Sequence, residues 1–401
     1  MARIVTLALL LATALAPAAQ AAGPEGTVRA LERQMRLAGG GSGAYVMDLD
    51  TGAELYAAAP DVPRIPASVN KLYTTSAALL DYGADGQLVT EVLGAHALDE
   101  EGAVQGNLYL RGGGDPTFGR AESRRLARVL AGSGLTEVTG RVIGDESRFD
   151  GLRGGPASSF RTSLWVGPLS ALAFNRGRTV GRRARVQRDP ARYAARRFER
   201  ALERAGVDVA RAARSGVAPP EAVVLGEWAS PRMDVLAGQV NRPSDNFMAE
   251  TLLKALGADH GGAGTTAAGT AAARAAAAPF GADPRMVDGS GLSRGNRTTP
   301  RDVVKLLAGM DASEVAEPLR TSLAVAGRSG TLWNRMRRTA ARDRCRAKTG
   351  TLNGVSALAG YCDGRRGART AFAFLMNGVT VTGAHPLQDR MAAALARYRS
   401  R

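Results

Sequence analysis

The distribution of lysine is the sequence feature that most limits where this chain can place its chemistry. Only four of the 53 basic residues are lysines, and two of these four lie in short motifs rich in hydroxyl side chains. Arginine keeps its proton, so it cannot replace lysine where a proton must leave. The segments Ser68-Val69-Asn70-Lys71 and Lys348-Thr349-Gly350-Thr351 therefore predict the location of an active site.

The first motif is predicted to begin a buried helix. Pro66 suits a first helical turn, apolar residues then recur at helical spacing, and Gly83 marks the end. Ser68 consequently lies in the first turn, where unpaired backbone amides favour developing negative charge. Lys71 follows three positions later and is expected on the same face of the helix.

A Ser-x-Asn sequence, Ser244-Asp245-Asn246, lies on a loop between two predicted helices. A serine hydroxyl needs a neighbouring base to become a good nucleophile, and a lysine serves only if burial or another cation lowers its pKa. Lys348 is the candidate for that cation. Ser244 is the candidate for relaying a proton to the leaving amine, and Asn246 for holding Lys71 and a substrate amide.

The third motif has the groups that bind a terminal carboxylate. The hydroxyl groups of Thr349 and Thr351, together with the charge of Lys348, suit such a group. The backbone amides of Ser68 and Thr351 are candidates for an oxyanion hole. This part of the sequence predicts a substrate with a free carboxylate next to the scissile bond.

A Ser-His-Asp triad is the competing serine mechanism. His96, His260 and His385 are the only histidines, and none has a recognisable triad context. The same scarcity argues against zinc, because no His/Cys cluster has ligand spacing. The sequence predicts a lysine-assisted serine site with no metal and no other cofactor.

The periodicity predicts an α+β fold. A β-hairpin is expected over residues 43–56, and three further strands over residues 344–349, 356–361 and 370–377, followed by a helix over 388–398. Together these strands form one antiparallel sheet. The terminal helices are expected on one of its faces, with the helix that begins near Ser68 on the other.

The middle of the chain differs from its two ends in sequence pattern. Short β-like runs alternate with glycine-rich turns from about residue 89 to residue 224. We interpret 89–224 as one or more inserted domains and residues 22–88 with 225–401 as the catalytic domain.

The N-terminus resembles a secretory signal peptide. Met1-Ala2-Arg3 precedes an apolar run, and the segment 1–21 ends in an Ala-x-Ala pattern. The alternative, an N-terminal membrane anchor, is disfavoured because the apolar run is too short. Export to the periplasm or another extracytoplasmic wall compartment is predicted.

Positive charge is concentrated locally. The whole chain has a formal net charge of +16, and residues 176–214 contain thirteen arginines against four acidic residues. A nucleic-acid site competes here with a solvated helix face. Export favours the solvated face and no nucleic-acid partner, with possible peripheral attraction to an anionic wall polymer or lipid surface.

The two cysteines suggest a cross-strand pair. If the segments around them form a hairpin with its loop at residues 351–355, the register that pairs Lys348 with Ala359 also pairs Cys345 with Cys362. A disulfide is compatible with an oxidising compartment. Two free buried thiols remain the alternative.

In this order, the three motifs resemble those of the low-molecular-mass class C penicillin-binding proteins, the D-alanyl-D-alanine carboxypeptidase/endopeptidase family. The resemblance extends over about residues 26–398 and includes four further blocks. These are Gly112-Gly113-Gly114-Asp115-Pro116-Thr117, Gly144-Asp145-Glu146-Ser147-Arg148-Phe149, Gly167-Pro168-Leu169-Ser170-Ala171-Leu172 and Asp288-Gly289-Ser290-Gly291-Leu292-Ser293-Arg294.

The resemblance implies a penicillin-binding-protein/serine β-lactamase-like transpeptidase fold with a β-rich insertion between the first two motifs. It implies Ser68 as nucleophile, Lys71 as general base, assistance from Ser244 and Asn246, and carboxylate binding by the Lys348-Thr349-Gly350-Thr351 segment. By position, the lip of the site includes Asp145, Phe149 and Arg294. For these three, the alternative roles are a turn cap, a core aromatic and a surface ion pair.

The implied activity is hydrolysis of a D-Ala-D-Ala or D-Ala-meso-diaminopimelate bond in peptidoglycan peptides through an acyl-Ser68 intermediate, with β-lactams as covalent inhibitors. A serine β-lactamase and a catalytically silent wall-binding protein are the alternatives. The 176 positions between Ser68 and Ser244 are few for the family. The innermost inserted subdomain is therefore expected to be reduced or absent.

Overall fold

The computed structural model describes residues 23–400, so the predicted signal peptide lies outside the described residues. The helices are α1 (Pro24–Ala38), α2 (Lys71–Tyr82), α3 (Arg120–Gly132), α4 (Pro190–Glu203), α5 (Met233–Asn241), α6 (Asn246–Gly261), α7 (Thr266–Ala277), α8 (Pro300–Asp311), α9 (Ala316–Ser322) and α10 (Val381–Leu395). The strands are β1 (Ser42–Asp48), β2 (Glu54–Ala58), β3 (Val89–Gly94), β4 (Ala103–Val104), β5 (Leu108–Arg111), β6 (Glu137–Asp145), β7 (Asp208–Ser215), β8 (Val223–Ala229), β9 (Ala324–Val325), β10 (Cys345–Leu352), β11 (Val355–Asp363) and β12 (Arg369–Asn377).

One antiparallel sheet joins the two ends of the chain in the order β2-β1-β12-β11-β10-β9. Strands β11 and β12 are almost entirely buried, because helices cover both faces of the sheet. On one face Phe372 and Phe374 pack among side chains of α1 and α10. On the other, Ala371, Ala373 and Leu375 pack among side chains of α2 and α8. The predicted α+β arrangement is confirmed.

The last helix differs from its prediction. Helix α10 begins at Val381, seven residues before the expected start, and contains Pro386 in its first two turns. Pro386 is the sixth residue of this helix and has no amide hydrogen, so the Thr382 carbonyl lacks its usual donor there. The helix predicted from periodicity began after this proline, at residue 388.

A second sheet is formed between α2 and α5. Its order is β4-β6-β5-β3-β8, with β7 also paired to β6, and α3 and α4 pack on one of its faces. Two hydrogen bonds join the ends of this segment at Leu88 and Ser230. Ser230 donates its backbone amide to the Leu88 carbonyl, and its hydroxyl accepts the Leu88 amide. The predicted boundary at residue 224 lies inside β8, which continues to Ala229 because it pairs along β3.

Candidate active site

The first motif lies at the start of α2, as its sequence predicts. Residues Ala67–Asn70 form a single 3₁₀ turn that leads directly into the helix. Lys71 Nζ donates hydrogen bonds to Ser68 Oγ at 3.0 Å, to Asn246 Oδ1 at 2.7 Å and to the Ser290 carbonyl. One fully buried amine thus connects the first two motifs.

The third motif approaches from β10. Lys348 Nζ donates to Ser244 Oγ at 2.8 Å and to the Thr349 carbonyl at 2.8 Å. Thr349 Oγ1 donates to Thr331 Oγ1 at 2.7 Å. The three motifs, which are far apart in the chain, therefore meet around two lysine amines.

Burial makes both amines easier to deprotonate than an ordinary lysine. It lowers the pKa of Lys71 to about 8, although the negative charges of Asp288, Glu250 and Asp245 oppose the shift. Burial, followed by the neighbouring Lys71 charge, lowers the pKa of Lys348 well below its usual value. The expected role of Lys348 as a cation therefore depends on a negative group bound beside it, which would raise its pKa again.

Two glycines allow other segments to approach the 3₁₀ turn closely. Gly291 has a φ of +82°, and a Cβ atom there would lie 1.9 Å from the Ala67 carbonyl oxygen. A Cβ atom on Gly350 would lie 2.5 Å from the Pro66 carbonyl oxygen. Only glycine provides both the left-handed backbone at 291 and this space. The backbone around Ser68 is thus held between the third motif and the segment that follows α7.

Two buried carboxylates near Lys71 were not predicted from the sequence. Glu250 accepts the backbone amides of Ser290 at 2.8 Å and Gly289 at 3.3 Å, and burial raises its pKa to about 7. Asp288 accepts the amides of Gly291 and Ser293. The available signal for Glu250 was its position one helical turn after Asn246 on α6, which places both on one face.

A cavity of about 530 Å³ opens over these groups. Five of the lining residues were not singled out from the sequence: Trp165, Thr331, Leu352, Asn353 and Val381. A smaller cavity of about 240 Å³ shares Trp165, Leu292 and Leu352 with it and also contacts Glu250. The main cavity is lined by Ser68, Trp165, Ser244, Asn246, Leu292, Thr331, Thr349, Thr351, Leu352, Asn353 and Val381.

Two of the three predicted lip residues do not line this cavity. Asp145 is buried and accepts the backbone amides of Ser147 and Ala218, both at 2.8 Å, so it holds a turn. Phe149 is a buried core aromatic whose ring lies 5.6 Å from Lys254 Nζ. These contacts match the alternative roles of a turn cap and a core aromatic, and the lip role of both residues stays a prediction.

Arg294 lies at the rim of the cavity. Its guanidinium donates to the Asn353 carbonyl at 2.9 Å, and Asn353 lines the cavity beside Thr351. The side chain is exposed, and its predicted role at the lip stays a prediction.

The hairpin of β10 and β11 has the predicted register. Lys348 pairs with Ala359 and Cys345 with Cys362, and a disulfide joins the two cysteines. The bond lies three residues before Lys348 on the same strand. It therefore links β10 and β11 close to the third motif.

Residues 23–400 contain neither a cluster of metal ligands nor a helix suited to cross a membrane. No group of three or more His, Cys, Asp or Glu side chains in this range is placed to hold a metal ion. Within the same range, no helix has the length and apolar character needed to cross a membrane.

The chain matches the model of the D-Ala-D-Ala carboxypeptidase 3 (S13) family over residues 25–185 and 175–398. It is 33% identical to a D-alanyl-D-alanine carboxypeptidase from an Actinomadura species, over 90% of this chain and 82% of that protein. The fold is similar to the crystal structure of penicillin-binding protein 4 from Haemophilus influenzae, with a TM-score of 0.78 at 20% identity, covering 90% of this chain and 97% of that one.

A penicillin G-acylated predatory endopeptidase from Bdellovibrio bacteriovorus, in complex with an immunity protein, is also similar in fold. Its TM-score is 0.54 at 20% identity, and the match covers 88% of each chain. The family match extends across both sheets and all three motifs. The chain therefore belongs to the D-Ala-D-Ala carboxypeptidase 3 (S13) family, within the low-molecular-mass class C penicillin-binding proteins, and is a serine-type hydrolase.

Proposed function

We propose that this enzyme hydrolyses the peptide bond after D-alanine in peptidoglycan stem peptides, as a DD-carboxypeptidase and DD-endopeptidase, through an acyl-Ser68 intermediate. The observation that supports this most directly is the 3.0 Å contact between Lys71 Nζ and Ser68 Oγ at an amine whose pKa is near 8. A substantial fraction of Lys71 is then neutral at mildly alkaline pH. Neutral Lys71 is a general base for the serine hydroxyl.

Acylation begins when Lys71 Nζ takes the proton from Ser68 Oγ. The oxygen then forms a bond to the D-alanyl carbonyl carbon, and the negative charge moves to the carbonyl oxygen. The amides of Ser68 and Thr351 are the proposed donors to that oxyanion. Collapse of the tetrahedral intermediate breaks the C–N bond, and the proton that Lys71 took passes through Ser244 to the leaving amine, which leaves Lys71 neutral again.

Substrate binding prepares the site electrostatically. The terminal carboxylate of the substrate is proposed to lie against Lys348, Thr349 and Thr351, which border the cavity or lie directly beneath it. A carboxylate there favours the protonated form of Lys348. The protonated Lys348 in turn disfavours a proton on Lys71. Deacylation follows when neutral Lys71 takes a proton from a water molecule and the water oxygen attacks the acyl carbon. The Ser68 Oγ–carbon bond then breaks, and Lys71 returns the proton to Ser68 Oγ.

Acylation by benzylpenicillin tests the assignment of Ser68. Intact mass spectrometry followed by peptide mapping should find one penicilloyl adduct, located on Ser68, and none in Ser68→Ala. Ser76→Ala is the matched control, because Ser76 is a buried serine of the same helix whose hydroxyl has no hydrogen-bond partner. Folded wild-type protein without an adduct would contradict the proposal.

Product analysis on purified muropeptides separates the activities. Released D-alanine reports carboxypeptidase action, and loss of cross-linked dimers reports endopeptidase action. Sustained destruction of penicillin beyond one equivalent would instead favour a β-lactamase. Retention on peptidoglycan with neither product would favour a silent wall-binding protein.

We also propose that residues 1–21 direct export and are removed. The mature chain should then begin at Ala22, which N-terminal sequencing of protein from the extracytoplasmic fraction would test. An intact N-terminus on that protein would argue for a retained anchor.

A further inference from the structure

The positive charge of this protein is concentrated on helices α3 and α4 and on the loop that precedes α4. Residues 119–132 and 176–204 together contain fifteen arginines and four acidic residues, a net charge of +11 out of +16 for the whole chain. These segments include α3 and α4, which pack against each other on the same face of the sheet. General replacement of lysine by arginine does not explain such a local excess.

Each of the two helices presents three arginines at four-residue spacing. This spacing places three side chains in one row along a helix, outside the set of buried residues. We call the two rows together the basic face. It consists of Arg120, Arg124 and Arg128 on α3 and Arg192, Arg196 and Arg200 on α4.

Local carboxylates do not compensate this charge. Asp189 caps α4 by accepting the Arg192 amide and also accepts the Ser215 hydroxyl, while Glu199 accepts the Ala213 amide. Among residues 23–400, none of the six guanidinium groups of the basic face forms an ion pair with Asp or Glu. Elsewhere the same protein does pair exposed arginines, as Arg274 does with Asp283.

The two rows share one electrostatic field. Arg197 lies on α4, and its pKa is lowered first by burial and then by the charges of Arg120 on α3 and Arg200 and Arg204 on α4. Holding these like charges together costs free energy in the unliganded protein. A bound anion would relieve that cost.

The basic face is connected to the catalytic cleft through the loop that precedes α4. Arg176 in this loop pairs with Asp245, the middle residue of the second motif, and its guanidinium lies 5.5 Å from the Phe247 ring. A polymer bound to the basic face would thus keep the catalytic cleft close to the wall that carries the polymer.

We propose that the basic face binds a phosphodiester polymer of the cell wall and keeps the enzyme at its substrate. Guanidinium groups recognise phosphate through paired hydrogen bonds. Successive arginines in a row are about 6 Å apart along the helix axis, which suits an extended chain with phosphates at similar intervals. The inference rests on the proposed function only in placing the enzyme at the wall.

Two other anionic partners are less well matched. A membrane-surface helix inserts large apolar side chains, whereas Val129 is the one large exposed apolar residue on α3 or α4. A single-stranded nucleic acid is usually bound with aromatic platforms. On α4, Phe198 is buried and Tyr193 is half-buried with its hydroxyl accepting the Val180 amide.

Binding to long-chain inorganic polyphosphate, measured by fluorescence anisotropy against salt concentration, tests the proposal. The triple variant R120Q/R124Q/R128Q should bind at least about tenfold more weakly at 0.1 M salt, and its logarithmic salt slope should fall by about 2. The control R29Q/R33Q/R36Q removes three exposed arginines from α1 and should bind like wild type. Equal loss of polyphosphate affinity in both variants would refute specific binding at the basic face.

Isolated cell walls provide the second arm. Wild-type protein should be retained on walls that carry phosphodiester polymers, and hydrofluoric acid treatment, which removes those polymers, should abolish the retention. Retention that survives the treatment would overturn the proposal. So would tighter binding to phosphatidylglycerol vesicles or single-stranded DNA than to polyphosphate at equal phosphate concentration.

Benzylpenicillin acylation is measured in the same preparations. It should be unchanged in both triple variants, which shows that they are folded and keeps this proposal separate from the assignment of Ser68. If the wild-type protein is not acylated, the proposed function is contradicted, whether or not the protein binds the polymer.

Discussion

The rate of acylation should depend on pH through Lys71. If only neutral Lys71 accepts the Ser68 proton, a pKa of about 8 leaves about a tenth of the enzyme active at pH 7 and about nine-tenths at pH 9. The second-order rate constant for benzylpenicillin should therefore rise about tenfold over this range. It should reach half its maximum near pH 8, because this constant reports the free enzyme.

The carboxylate of Glu250 provides a perturbation of that midpoint. Its charge raises the pKa of Lys71, and with its own pKa near 7 it is ionised at pH 8. Glu250→Gln removes the charge but keeps an oxygen that accepts a backbone amide, so the midpoint should move to lower pH. Stopped-flow acylation with a fluorescent penicillin from pH 6 to pH 9.5 measures both enzymes. A flat wild-type profile, or a midpoint that rises in the variant, would refute Lys71 as the titrating base.

Three further outcomes are expected. Lys71→Arg and the uncharged Lys71→Met should both lose acylation, because neither side chain accepts the serine proton, and both should keep the Tm of the wild type. Normal acylation by either variant would show that Lys71 is not the general base. Gly291→Ala should lose more than about tenfold in acylation rate, because its Cβ atom displaces the carbonyl before the predicted nucleophile, whereas Gly262→Ala, also at positive φ but with open space, should cost only about 1 kcal/mol of stability. Replacing Cys345 and Cys362 by alanine should lower the free energy of unfolding by about 3 kcal/mol, which is about 4 °C in Tm by scanning fluorimetry, and should leave acylation stoichiometry intact; an unchanged Tm would contradict a stabilising cross-link.

The reliable sequence predictions concern local patterns. The start of α2 at the first motif follows from helical spacing and a nearby glycine stop, which depend on neighbouring residues. The register that places Cys345 opposite Cys362 follows from a short hairpin, where loop length determines pairing. The terminal strands form one sheet because their apolar runs need cover on both faces.

The sequence did not specify contacts between residues that lie far apart in the chain. Asp145 and Phe149 were assigned to the lip by their position in a block, and that position did not reveal the hydrogen bond to Ala218 or the packing against Lys254. The partners of a side chain depend on how separate segments pack, and a one-dimensional pattern does not specify that packing.

The sequence by itself determined which groups are available for chemistry: two lysines in hydroxyl-rich motifs, on a helix start and on a strand, in a chain that otherwise uses arginine. Tertiary structure decided how those groups behave. It buried both amines, placed Glu250 beside Lys71, and brought Gly291 against the turn that carries Ser68. A pKa is set by burial and by charges within a few ångströms. Those distances exist only once the chain has folded.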